Sequence, residues 1–224
     1  MLNKFSLPAC LAFTLLGLSS AASAEEAPAI FNGKNLDGWI AEGRTERTVD
    51  GKMLPTWSVE NGMLVCNDAG AMCFLRYDKE VSDFSFHVEF RMLKPKSNSG
   101  IGIRTGVYDA TTKDRSRATR PSIYSYEIQL FDDSGTAANP KSSGSLYRYV
   151  APRENAIKPP LEWNTLDVEC VGPRIKVTMN GKLIHDVDQS TIPEIKGKPL
   201  KGYVCLQSHG GQTEFREVRL REIK

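Results

Sequence analysis

The sequence is 224 residues long and carries 29 basic and 27 acidic side chains, a formal net charge of +2. The two signs are interspersed, so no basic stripe marks a nucleic-acid surface and no charge block marks an anionic membrane. The length suits one all-β domain around a single core.

At the start of the chain, Lys4 precedes an apolar run over residues 7–18 and small residues ending in Ala22-Ser23-Ala24. This is the three-part layout of a secretory signal peptide, with cleavage expected after Ala24. An apolar run of about a dozen residues is short of the roughly 20 that a spanning helix needs. Residues 1–24 are expected to be a signal peptide, residues 25–224 a single domain, and the protein exported, to the periplasm or beyond, with no membrane span. Cys10 has almost no apolar stretch before it, which argues against acylation. In an oxidising compartment Cys66, Cys73, Cys170 and Cys205 allow three pairings. The pair Cys66–Cys73 is preferred because it would close the turn-like Asn67-Asp68-Ala69-Gly70. There is no CxxC pair and the histidines are scattered, so zinc is not expected. No cofactor is required by any pattern present, and structural calcium is left open.

Strand patterns then follow at 57–60, 63–65, 84–92, 100–104, 124–131, 163–171, 174–179, 182–187, 202–207 and 214–223, with little helical periodicity. The segment 84–92 alternates so that Phe84, Phe86, Val88 and Phe90 share one face and His87 lies on the other. His87 and His185 read as structural, and Trp39, Trp57 and Trp163 as packing residues. Asn180-Gly181 between alternating runs predicts a tight hairpin, since both residues accept positive φ. Polar segments at 107–121, with Arg115, Arg117 and Arg120, and at 132–144 flank the 124–131 strand, and long loops of this kind tend to be functional. The fold class expected is an all-β jelly-roll sandwich of two antiparallel sheets.

Alternation also locates candidate chemistry. Around Tyr126, Ile128 and Leu130 it turns Glu127 and Gln129 outward; around Val204 and Leu206 it turns out Gln207 and His209; beside Ile101 and Ile103 it turns out Arg104. On neighbouring strands these side chains would offer a polyhydroxyl ligand fixed donors and acceptors. Taken singly, an outward Glu or Gln on an antiparallel strand is more often a solvated face. Gly210-Gly211 after His209 allows a close approach of ligand or backbone. There is no GxSxG, P-loop or dinucleotide fingerprint. A retaining glycosidase needs two carboxylates about 5 Å apart, and Glu127-Ile128-Gln129 supplies one.

Phe31-Asn32-Gly33-Lys34-Asn35-Leu36-Asp37-Gly38-Trp39, Asn98-Ser99-Gly100-Ile101-Gly102-Ile103-Arg104, Tyr126-Glu127-Ile128-Gln129-Leu130, Ser143-Gly144-Ser145-Leu146-Tyr147, Glu162-Trp163-Asn164 and Leu206-Gln207-Ser208-His209-Gly210-Gly211, in this order and spacing, resemble the 3-keto-disaccharide hydrolase family. The resemblance implies a concanavalin-like or laminin-G-like jelly roll acting on glycosides oxidised at C3. A ketone at C3 acidifies the C2 hydrogen, so one base and one oxyanion stabiliser suffice for cleavage by elimination or net hydrolysis. On that reading His209 or Glu127 removes the proton, Arg104 stabilises the enolate, and Gln129, Gln207 and Tyr147 hold hydroxyls of an oxidised-sugar ligand. A non-catalytic carbohydrate-binding module and an ordinary two-carboxylate glycosidase are the competing readings.

Overall fold

In the computed structural model, residues 27–67, 72–108 and 120–224 are described. The expected signal peptide with Cys10, the turn residues Asp68, Ala69 and Gly70, and the loop residues Arg115 and Arg117 lie outside them.

The described strands are, in chain order, β1 Trp39–Gly43, β2 Glu46–Val49, β3 Lys52–Pro55, β4 Trp57–Glu60, β5 Met63–Cys66, β6 Cys73–Tyr77, β7 Phe84–Met92, β8 Asn98–Thr105, β9 Tyr126–Phe131, β10 Asn164–Val171, β11 Arg174–Met179, β12 Lys182–Asp188, β13 Tyr203–Gly210 and β14 Thr213–Glu222. They form an antiparallel five-stranded sheet, β1-β6-β13-β8-β9, and a seven-stranded sheet, β12-β11-β10-β7-β14-β5-β4, with β2 and β3 a separate hairpin. The two large sheets form the expected jelly-roll sandwich.

Period two explains the layering. Along β7, Phe84, Phe86, Val88 and Phe90 are fully buried against the other sheet. The opposite face of β7, where alternation turns His87 away from the core, is not solvated along its whole length, because Ser85 and His87 are buried too. His87 sits across from Asp167 on β10, its Nδ1 2.7 Å from a carboxylate oxygen, so a polar pair covers the ring. Asn180 and Gly181 take φ of +52° and +77° and close the β11–β12 hairpin as predicted.

Four strands, β1, β2, β3 and β6, were not anticipated. Asp50-Gly51, at φ +50° and +76°, repeats the Asn180-Gly181 chemistry and is the signal that marks the β2–β3 hairpin. β6 hides its alternation because Phe74, on the groove side, is as buried as Leu75 on the core side. The expected 124–131 strand is shorter, since Pro121–Tyr124 forms a helical turn, α1, ahead of β9. The preferred Cys66–Cys73 bridge is not formed. The two residues belong to strands of different sheets, and these, like Cys170 and Cys205, stand as buried thiols. Burial pushes the Cys73 thiol up to about 11.

Candidate functional site

The site is built on the outward face of the five-stranded sheet. On β9, Tyr126, Ile128 and Leu130 enter the core, leaving Glu127 and Gln129 on the other side. On β13, Val204 and Leu206 do the same for Gln207 and His209. Between these strands runs β8, where Gly100 is the cross-strand partner of both Gln129 and Gln207. A Cβ on Gly100 would lie 3.0 Å from Cγ of Glu127 and 3.3 Å from Oε1 of Gln207. The bare position therefore lets the carboxyl and the amide lean together over the strand that separates them.

Glu127 is only 5% exposed. Burial pushes its carboxyl up to about 7, against the opposing pull of hydrogen bonds from Gln207 and Ser122 and of the charges of Arg148 and Arg120. Its strand is held from outside: Tyr147 N donates to Glu127 O at 2.8 Å, Gly144 N to Gln129 O at 2.8 Å, and Gln129 N to Ser145 O at 3.0 Å. Gly144, at φ +80°, turns this outer segment, and its carbonyl lies 2.7 Å from Nε2 of the buried His185. Tyr147 is thus brought beside Glu127, with the Arg148 guanidinium 5.4 Å from its ring centre. His209 is exposed at the rim, its Nδ1 3.1 Å from the side-chain nitrogen of Asn98. Partial desolvation of the ring by the groove, and secondarily the charge of Arg120, hold its pKa below the usual histidine value.

Arg104 is not in this constellation. It adopts φ +54° where Ile103 and Arg104 stand opposite Val204 alone, a two-against-one bulge that reverses the side chain's direction. The fully buried guanidinium instead donates to the carbonyls of Ser82 and Gly172. The structure thus brings together Glu127, Gln129, Gln207 and His209, with Tyr147 at the edge, and removes Arg104. It adds Asn98, Ser122 on α1, and Arg120, whose charge acts on both Glu127 and His209. Nε of Arg120 is buried without a hydrogen-bond partner among the described residues. Alternation could not find Arg120 or Ser122, because both come from the loop and turn ahead of β9.

The raised carboxyl has a stability consequence. With its folded pKa moved up from 4.5 to about 7, Glu127 favours folding while protonated, and that contribution is lost as pH rises through 7. Glu127→Gln keeps the shape without the charge. It is expected to be more stable than the parent by about 3 kcal/mol at pH 8, with the gap closing toward pH 4.5. Urea unfolding at the two pH values checks this.

The family model for the 3-keto-alpha-glucoside-1,2-lyase-like domain matches residues 26–221. The chain belongs to this family. Membership in the 3-keto-alpha-glucoside-1,2-lyase-like family supports a carbohydrate-related role. Solved structures similar to this family member include two putative glycosyl hydrolases from Parabacteroides distasonis ATCC 8503. One is 20% identical, with a TM-score of 0.67 over 87% of this chain and 92% of that one. The other is 23% identical, with a TM-score of 0.63 over 88% and 98%. The exoplasmic domain of VIP36, solved with Ca2+ and Man3GlcNAc, shares the fold at 12% identity, with a TM-score of 0.54 over 88% of both chains. No curated protein matches the sequence. Among the described residues, no helix is long and apolar enough to cross a membrane, and no group of three or more His, Cys, Asp and Glu is placed to hold a metal.

Proposed function

We propose that the protein cleaves 3-keto-glycosides by elimination, with Glu127 as the base. The observation that carries this reading is the buried Glu127, the one carboxyl in this constellation among the described residues, set on β9 beside Gln129 and across Gly100 from Gln207. Glu42, on the same sheet, is four strands away and is paired with Arg76 at 2.6 Å. At about 4.8 Å per strand that separation is roughly 15–20 Å, well beyond the ~5–9.5 Å over which two carboxylates share an ordinary glycosidic cleavage.

In the proposed reaction Glu127 takes the C2 proton and the electron pair moves to the C3 oxygen as an enolate. The enolate collapses back to the ketone, C1=C2 forms, the C1–O bond breaks, and the departing oxygen takes a proton from solvent. For net hydrolysis, water then adds its hydroxyl to C1 and releases its other proton to solvent, replacing the one the leaving group took, while C2 regains a proton from Glu127. Arg120 takes over the oxyanion role first expected of Arg104, since its charge already acts on the site and its Nε lacks a partner among the described residues. Gln129, Gln207 and Tyr147 hold ring hydroxyls.

Incubation with a 3-keto-disaccharide is expected to release the aglycone sugar, while the unoxidised disaccharide stays intact. Saturable binding without turnover would transfer the protein to the binding-module reading. The same proposal places the protein outside the cytoplasm, and N-terminal sequencing of the mature form is expected to start at Glu25.

A further inference from the structure

Asn98 and Gln129 join His209 to Glu127 through a short line of side-chain amides, and only two hydrogen-bonding patterns fit it. In the first, the Gln129 nitrogen donates to Asn98 Oδ1 at 3.4 Å and the Asn98 nitrogen faces Nδ1 of His209 at 3.1 Å. That leaves the Gln129 oxygen against two other oxygens. In the second, the Gln129 amide is turned by half a rotation, and its nitrogen donates to Glu127 Oε1 at 3.3 Å and to the Ser99 carbonyl at 3.1 Å. The Ser99 carbonyl is a permanent acceptor, so it favours the second pattern whatever the ionisation of Glu127.

The choice propagates. With the Gln129 oxygen now facing Asn98, the Asn98 amide must also turn, offering its nitrogen to Gln129 and its oxygen to His209. An oxygen 3.1 Å from Nδ1 requires a proton on that nitrogen. We infer that Asn98 is a positioning residue which, through the Ser99–Gln129 contact, holds His209 as its Nδ1–H tautomer, so that Nε2 presents a lone pair to a ligand hydroxyl. His209 then accepts at the rim, where an unconstrained neutral histidine, favouring Nε2–H, would donate. This deepens the proposed function and rests on it for the identity of the ligand; the tautomer itself is independent of turnover.

The test is nitrogen-15 NMR of the histidine rings at pH 8, above the depressed titration of His209, whose facing charged group is Arg120. His209→Gln identifies its signals among the three histidines. The expected spectrum shows a protonated Nδ1 and an unprotonated Nε2 for His209. In Asn98→Leu the balance is expected to revert to a majority of Nε2–H. Asn98→Asp, whose carboxylate still accepts from Nδ1, is expected to keep the parental tautomer. For substrate, Asn98→Leu is expected to raise KM about tenfold, the loss of one hydrogen bond of about 1.4 kcal/mol, with kcat little changed. A His209 that is mainly Nε2–H in the parent, or a tautomer unmoved in Asn98→Leu, overturns the inference. Absence of turnover with the tautomer as expected would count only against the elimination reading.

Discussion

Replacing Glu127 by Gln is expected to lower kcat on a 3-keto-disaccharide by about 10²–10⁴-fold, the range over which a positioned general base contributes. KM should change little, because the amide of Gln retains hydrogen-bonding partners in Gln207 and Ser122. In the parent, kcat/KM should rise with pH and level off above about 7, where burial has placed the carboxyl. The sign comes from the role: a base works only when ionised, so protonation below 7 removes activity. Turnover in Glu127→Gln above a tenth of the parental rate would exclude Glu127 as the base. Together with its expected gain in stability at pH 8, the variant separates the two consequences of burying this carboxyl, since the same desolvation that tunes the base weakens the fold.

Arg104→Met should show the opposite profile. The guanidinium is wholly buried, with Nε and Nη2 donating to Ser82 O at 3.1 and 2.9 Å, Nη1 to Gly172 O at 2.7 Å, and Nη2 3.4 Å from Asp83 Oδ1. Methionine fills much of the volume but leaves the two carbonyls without these donors. A loss of about 2–5 kcal/mol is expected, from two carbonyls left without donors, measured as a lower urea midpoint. The folded fraction should keep its KM, because the side chain lies away from Glu127. An oxyanion-stabilising Arg104 would instead lose kcat with stability intact.

These two arginine and glutamate positions show where the sequence is readable. Alternation places Glu127, Gln129 and Gln207 on the groove side because β9 and the Cys205–Ser208 stretch of β13 are regular and their apolar partners leave one face to the core, whereas His209 reaches the rim from a second bulge, between Ser208 and Gly210. The same rule misplaces Arg104, since a bulge adds one residue to β8 opposite Val204 and inverts the facing of the residues beyond it. Nothing local in Ile103-Arg104-Thr105 announces it; the bulge packs against Gly202, just ahead of β13, where a Cβ would lie 2.5 Å from the carbonyl carbon of Arg104. Arg120 and Ser122 are beyond reach for another reason. Their approach to Glu127 depends on how residues before β9 return to the sheet, which is tertiary rather than periodic information. The β2–β3 hairpin, by contrast, does carry a local signal in Asp50-Gly51, although its strands are short and neither has a buried residue.

The segment around Gly144 and Tyr147 does more than deliver a tyrosine. β9 ends its sheet, and a terminal strand with open amides and carbonyls is a template onto which another chain can add. Here those groups are occupied by Ser145, Gly144 and Tyr147, and at Phe131 by the Ser143 hydroxyl, which accepts from its N–H at 2.8 Å and donates to its carbonyl at 2.6 Å. The strand that bears the candidate base is therefore closed to strand addition, so edge-to-edge self-association would have to start elsewhere on the sandwich and leave Glu127 uncovered.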